Sequence, residues 1–318
     1  MLFSIIMPVY MVEDYIEKSI ESIVEQTDKN FELIIVNDGT KDNSIKKAEK
    51  ILENSDVNYS VIVQENLGLA SARNAGLKQA KGDWVICIDS DDSIHPQTLE
   101  FIHKIIEKEQ NTPEVIIFSY SMYGNQDYQY TMYEKLPDYT IFSSKEISEL
   151  YLNRRIHLVV PGFCIRRELC IDRELFYNPK VFFSEDTLYI WNVFLKVKKI
   201  YYINEALYCY LRRPHSIMTS SDISKILSGY KAYLEFENKM TTEVLFNEQK
   251  YIFPRWVLGV MHSASKYMDF HTYRELLTAL NYQKYIKELK GYSSKKVKMA
   301  AWIISILKST SFFILRIR

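Results

Sequence analysis

The sequence predicts an α/β protein: a mostly parallel β-sheet flanked by helices, followed by a helical C-terminal extension. Three observations carry this. Over the first 120 residues, short apolar runs alternate with stretches of helical periodicity. Polar clusters follow the first, second and fourth apolar runs, at what would be the carboxyl ends of parallel strands, where such sheets bind ligands. Beyond about residue 221 the strand signal stops and only helical patterns remain.

Taken in order, residues 3–7 read as a strand. Residues 14–26 read as a helix with Tyr15, Ile16, Ile20, Ile23 and Val24 on one face. A strand at 32–37 runs into NDGTKDNS, rich in turn formers, and a helix follows at 44–53. Residues 59–64 make the third strand. The helix at 68–80 closes with the basic Lys81 and with Gly82. A strand at 83–88 leads into Asp89-Ser90-Asp91-Asp92, then a helix at 97–109 and a strand at 115–120. The tyrosine-rich 121–138 suggests a hairpin. Ser143 with Glu146 three residues on forms a capping box for a helix to 152. Ser184-Glu185-Asp186 opens a helix to 197, and 200–203 and 207–211 read as two short strands. The domains expected are 1–220, itself divided at about residue 120, and a helical 221–318.

Composition excludes several classes. With 47% apolar and 25% charged residues in 318, the chain is expected to fold around a core. Lys plus Arg and Asp plus Glu both number 40, so a charge-driven nucleic-acid partner is not expected. Cys87, Cys164, Cys170 and Cys209 show no CxxC pair, which suits a reducing cytoplasm. The start MLFSIIMP has no basic residues and is interrupted by Pro8, so it does not read as a signal peptide. No run reaches the ~18–20 apolar residues of a spanning helix.

Asp89, Asp91 and Asp92 crowd one loop, and such carboxylates repel unless a cation sits among them. Oxygen ligands suit Mg²⁺ or Mn²⁺, which keep waters and bind substrate phosphates. The alternative is an Asp-rich turn in which Asp92 or Ser93 caps the following helix. Asp38, before Gly39, is placed to reach a base or ribose, or else makes an Asx-turn. Arg73 stands on a helix where it meets a diphosphate or a base, or lies on a solvated face. Glu185 and Asp186 open a helix whose N-terminus keeps carboxylates ionised, which suits a general base and equally suits simple capping. His215, after two arginines, is either a third metal contact or a surface residue.

These blocks together resemble the family 2 glycosyltransferases of the GT-A fold, a Rossmann-like nucleotide-diphospho-sugar transferase fold, especially bacterial polysaccharide enzymes. The matching segments are SIIMPVYMVEDYI, ELIIVNDGTKDNS, QENLGLASARNAGLKQAKGDWVICIDSDD and FFSEDTLYIWNVFLKVKKIYYINEALYCYLRR, with a faint HSIM, over about residues 1–220. The resemblance implies a nucleotide-sugar donor, a UDP-sugar, and a saccharide or lipid-linked saccharide acceptor. Pro8, Val9, Tyr10, Glu13, Asp38, Arg73, Asp89 and Ser90 would bind the donor. Asp91 and Asp89, with His215, would hold the metal. Asp186 would be the catalytic base, with Glu185 on the acceptor side. Met11 replaces the family's usual Asn, and Asn37 removes one carboxylate. Gln249 and Arg255-Trp256 are too far apart for the QxxRW of processive synthases, so single addition is implied. Other readings are a sugar-nucleotide nucleotidyltransferase and a non-catalytic nucleotide-sugar-binding module. The first would carry a Gly-rich phosphate loop, and SIIMPVYM has no glycine.

In the tail 295–318, helical spacing puts Lys298, Ser305, Ser309 and Arg316 on one stripe and apolar residues around the rest. Positions 290, 295, 296, 298, 308, 316 and 318 are basic and none of 290–318 is acidic. The segment either lies in a membrane surface, giving peripheral contact on the cytoplasmic side, or packs on the protein.

Overall fold

The computed structural model describes residues 1–123, 132–211, 222–240 and 248–315. The chain divides into two compact units: one of residues 1–147, 157–179 and 189–213, the other of 148–156, 180–188 and 214–318.

The first unit is built on one mixed sheet. Its parallel half comprises β1 (Phe3–Val9), β2 (Phe31–Asn37), β3 (Asn58–Val63) and β4 (Trp84–Cys87), in the order β3-β2-β1-β4. Helices α1 (Ile16–Val24), α2 (Ser44–Leu52) and α3 (Leu69–Gln79) connect them. Every residue of β1 is buried, as expected for a central parallel strand covered on both faces. Of the face read from the 3.6-residue period, Ile16, Ile20 and Ile23 are wholly buried, and Tyr15 and Val24 are half-buried.

Past β4 the sheet turns mixed. The short β5 (Ser93–Ile94) and α4 (Thr98–Lys108) precede β6 (Val115–Tyr123) and β7 (Tyr139–Ser143). Then come α5 (Ser144–Leu152), β8 (Phe163–Arg166), α6 (Arg167–Asp172), α7 (Glu185–Lys196) and β9 (Lys199–Leu211). β8 lies antiparallel between β4 and β6, while β6 and β9 run parallel, and β5 and β7 pair antiparallel with β9. The two short strands expected at 200–203 and 207–211 are one. β9 continues through residues 204–206 because register shifts around Ser119 of β6 accommodate the extra residues as a bulge. The hairpin expected in 121–138 falls largely on 124–131, outside the described residues, and 132–138 hold no strand. The capping box forms: Ser143 Oγ accepts from the Glu146 N–H at 3.2 Å, and Glu146 accepts from the Ser143 N–H at 2.8 Å.

The second unit is helical over its C-terminal part, with α8 (Ile223–Met240), α9 (Ile252–Tyr267), α10 (Phe270–Ala279), α11 (Tyr282–Glu288), α12 (Lys295–Leu307) and α13 (Ser311–Leu315). Its core is aromatic. Tyr233 stacks on Trp256 with ring centroids 4.7 Å apart, and Phe253 meets Tyr285 edge-on at 4.6 Å. Asp269 caps α10 by accepting from the His271 and Thr272 N–H groups. α12 buries Val297, Ala301 and Ile304 and exposes Met299, Trp302 and Ile306. Among the described residues, no helix is long and apolar enough to cross a membrane.

Candidate active site

The loops after β1 and β2 are tied to each other by backbone donors. The Met11 N–H donates to Thr40 Oγ1 at 2.8 Å, and the Glu13 N–H donates to Asp42 at 3.0 Å. Glu13 in return accepts from the backbone and side chain of Asn43, at 2.9 and 3.1 Å. Burial pushes the Asp42 carboxyl up, but donors from Ser44, Thr40 and Glu13 outweigh it, and its pKa falls below the ordinary value. Pro8 and Val9 end inside the sheet while Tyr10 emerges into solvent. Met11 is held at φ +53°, a left-handed conformation that Asn adopts more readily.

Asp38 is nearly wholly buried and grips the segment leading into α3. It accepts from Gln64 Nε2 at 2.7 Å, the Leu67 N–H at 2.9 Å and the Gly68 N–H at 2.9 Å. A tertiary clamp therefore replaces the Asx-turn alternative. Gly39 beside it has φ +70°, and a Cβ there would stand 2.9 Å from the Asn66 nitrogen, so both conformation and space call for glycine.

α3 carries Arg73 inward, not onto a solvated face. Its guanidinium is wholly buried, donates to Asp89 Oδ1 at 2.7 Å and lies 5.1 Å from the centre of the Tyr177 ring. The side-chain amide of neighbouring Asn74 donates to the Tyr177 carbonyl at 2.8 Å and accepts from the Tyr177 N–H at 2.9 Å, and Tyr177 stacks on Tyr189 at 4.0 Å. Tyr177 lies in a segment with no periodic pattern, so nothing local marks it.

In the acidic loop after β4, the four residues have different fates. Asp89 is held by Arg73 with its side chain about a quarter exposed (24%). Ser90 is buried. Asp92 is buried, accepts from the Tyr208 hydroxyl, and accepts from the Leu211 N–H at 2.7 Å. Burial first, then repulsion from Asp91 and Asp89, push its pKa up to about 8 against the effect of those two donors. Asp91 remains half-buried between them. The capping alternative for this loop fails: α4 begins at Thr98 after Gln97, and Ser93 belongs to β5. Tyr208 and Leu211, the partners of Asp92, were not foreseen, although both lie in the YCYLRR block of the resemblance.

Among the described residues, no group of three or more His, Cys, Asp or Glu side chains is arranged to hold a metal ion. The donor set nonetheless fits a Mg²⁺ or Mn²⁺ that takes one or two carboxylates and completes its shell from water and phosphate. Asp91 and Asp89, second to burial, push the Asp92 carboxyl up, a repulsion that a cation in the loop would relieve. His215 lies outside the described residues.

Glu185 and Asp186 form the first turn of α7 in the second unit, and both are half-buried. Ser184 precedes them at φ +61°, and its carbonyl accepts the Leu188 N–H at 3.1 Å. The approach to this turn is fixed against α8. Phe182 N–H donates to Ser228 Oγ at 3.0 Å, and Gly229 lets the Phe183 carbonyl close to within 2.6 Å of where a Cβ would be.

The family described as "Glycosyl transferase family 2" matches residues 4–173. A glycosyltransferase of Streptococcus pneumoniae, GlyG, is 30% identical over 233 residues, covering 70% of this chain and 75% of that protein. The cholesterol galactosyltransferase of Borreliella burgdorferi is 26% identical over 310 residues, 91% of this chain and 84% of its own. Among solved structures, S. aureus TarS 1–349 in complex with UDP-GlcNAc superposes with a TM-score of 0.60 at 18% identity, over 99% of this chain and 90% of that one. At that identity the likeness establishes the fold, here a mixed sheet flanked by helices with a helical C-terminal extension. The chain belongs to glycosyl transferase family 2: it is a glycosyltransferase of the GT-A fold that moves a sugar from a nucleotide-sugar donor to an acceptor.

Proposed function

We propose that this enzyme adds single hexosyl or N-acetylhexosaminyl units, with inversion, from a UDP-sugar to a saccharide or lipid-linked saccharide acceptor of a surface polysaccharide or glycolipid. The carrying observation is the acidic loop after β4, where Arg73 holds Asp89, Tyr208 and Leu211 hold Asp92, and half-buried Asp91 lies between those two in sequence. Donor-binding roles go to Pro8, Val9, Tyr10, Glu13, Asp38, Arg73, Asp89 and Ser90, with Arg73 and Asp38 acting through the loops they hold. Asp91 and Asp89 would hold Mn²⁺ or Mg²⁺, which when bound neutralises charge growing on the leaving diphosphate.

Asp186 is the general base. It takes the acceptor hydroxyl proton as the acceptor oxygen bonds to the anomeric carbon and the bond to the diphosphate oxygen breaks on the opposite face. Its place in the first turn of a twelve-residue helix supports an ionised carboxylate, and Glu185 is assigned to the acceptor side. Residues 1–220 form the catalytic part and 221–318 a helical part. The Borreliella relative, a cholesterol galactosyltransferase, supports a lipid acceptor, and the exposed Trp302 and Met299 of α12 support peripheral contact with the cytoplasmic face of a membrane.

A thermal-shift screen tests the reading: UDP-glucose, UDP-galactose, UDP-GlcNAc and GDP-mannose, each with and without Mn²⁺. Stabilisation by a UDP-sugar that depends on Mn²⁺ is expected. A response to GDP-mannose alone, or one indifferent to the metal, overturns it.

A further inference from the structure

The helical unit holds a cavity of about 370 Å³ lined by Asn153, Arg155, Arg255, Tyr292, Ser293, Ser294 and Val297. Its chemistry is strongly one-sided. Arg255 is half-buried, and its Nε is buried with no hydrogen-bond partner in the protein. The Arg154 guanidinium lies 3.8 Å from the Cβ position of Gly259, one turn further along α9, and its charge acts on Arg255. Among the described residues, none of Arg154, Arg155 and Arg255 forms an ion pair with a carboxylate. Gathering like charges around a desolvated guanidinium is unfavourable unless an anion completes the set.

The start of α12 adds to the imbalance. Ser294 precedes the helix without a side-chain cap, and the first turn has no acidic residue but does have Lys295 and Lys296. Cations are disfavoured at a helix N-terminus, whose unpaired N–H groups attract anions. Tyr292 is committed elsewhere, its hydroxyl donating to Asn153 Oδ1 at 2.8 Å with its ring beneath Arg255 at 5.5 Å. What is left facing the cavity is a fork of arginine donors, two serine hydroxyls and a helix end, the groups that bind a tetrahedral oxyanion.

We infer that this cavity is a phosphate-binding site, separate from the donor-binding loops. The surface beside it indicates where the phosphate comes from. Lys290, Lys298, Met299 and Trp302 line a neighbouring depression, and Trp302 and Met299 are both 60% exposed. Apolar side chains among lysines suit the interface of an anionic bilayer, where a phospholipid headgroup supplies the phosphate. This assignment of source rests on the peripheral membrane contact proposed above; the phosphate site itself does not.

The full chain would be tested with three probes: inorganic phosphate, phosphatidylcholine vesicles and mixed phosphatidylcholine–phosphatidylglycerol vesicles. The variants are Arg155→Glu and Arg255→Gln, and Arg155 is exposed so that its substitution leaves the core intact. In the wild type, 10 mM phosphate should raise Tm by about 2–4 °C, and the increment should be lost in both variants. Anionic vesicles should sediment the wild type and bind Arg155→Glu about tenfold less, with phosphatidylcholine vesicles inert. A phosphate response without vesicle binding upholds the site and assigns it to a soluble phosphate. Equal phosphate stabilisation of wild type and Arg155→Glu, or none in either, overturns the proposal. Because neither assay uses a sugar donor, failure here leaves the transferase reading standing.

Discussion

Arg73 and Asp89 meet at 2.7 Å across sixteen residues of sequence, the guanidinium shut away from water and the carboxylate partly open to it. The asymmetry makes Asp89 a structural necessity before it is anything else. Asp89→Asn removes the carboxylate that faces a buried guanidinium, which should cost about 3–5 kcal/mol. Urea unfolding followed by circular dichroism would read this as a lower midpoint at unchanged slope. A loss below about 1 kcal/mol would show that the remaining contacts of Arg73, the Tyr177 ring among them, suffice to house the charge.

The buried Asp92 makes stability depend on pH in a definite direction. Its folded pKa of about 8 stands above its ordinary 3.8, so the folded chain holds a proton that the unfolded chain releases. That contribution is complete below pH 4 and disappears as pH rises through about 8. Denaturant midpoints of the metal-free protein should therefore fall between pH 5 and 9. Asp92→Asn should flatten the fall, and an unchanged pH slope in the variant would remove Asp92 as its source.

Asp186 and Asp91 should fail in different ways. Asp186→Asn should lower kcat by ~10²–10⁴-fold with donor affinity kept. Asp91→Ala should abolish Mn²⁺-dependent stabilisation by UDP-sugar before any turnover is measured. Near-normal turnover in Asp186→Asn would require another base.

Met11 offers a gain. Its φ of +53° is one that Asn tolerates better, and its side chain is exposed. Met11→Asn should raise stability by about 1 kcal/mol. A lower Tm would mean that the exposed Met11 side chain makes a contact worth more than the backbone relief.

Sequence periodicity sufficed where the parallel half of the sheet has largely apolar strands, as in β1 and β4, and amphipathic helices, as in α1 and α2. In β1 every residue is buried, and on α1 the three isoleucines of the expected face are buried while Tyr15 and Val24 are half-buried. It failed for β8, whose four residues FCIR are too few for a period, and whose antiparallel place between β4 and β6 is set by tertiary pairing. It also split β9, because Asn204 and Glu205 interrupt the apolar pattern exactly where the bulge absorbs them. For the site, local spacing identified the acidic loop but not the ranks within it. Those come from Tyr208, 116 residues from Asp92, and Arg73 below Asp89, and no window of sequence contains both ends of such contacts.

α3 has a mechanical corollary. Asp38 grips the chain at the N–H groups of Leu67 and Gly68, just ahead of this helix, and Arg73 on its second turn holds Asp89. An eleven-residue rod is thus moored at both the second and the fourth strand's exit. Displacing either mooring drags the other, so a ligand that tightens one loop transmits its pull to its neighbour without any hinge between them.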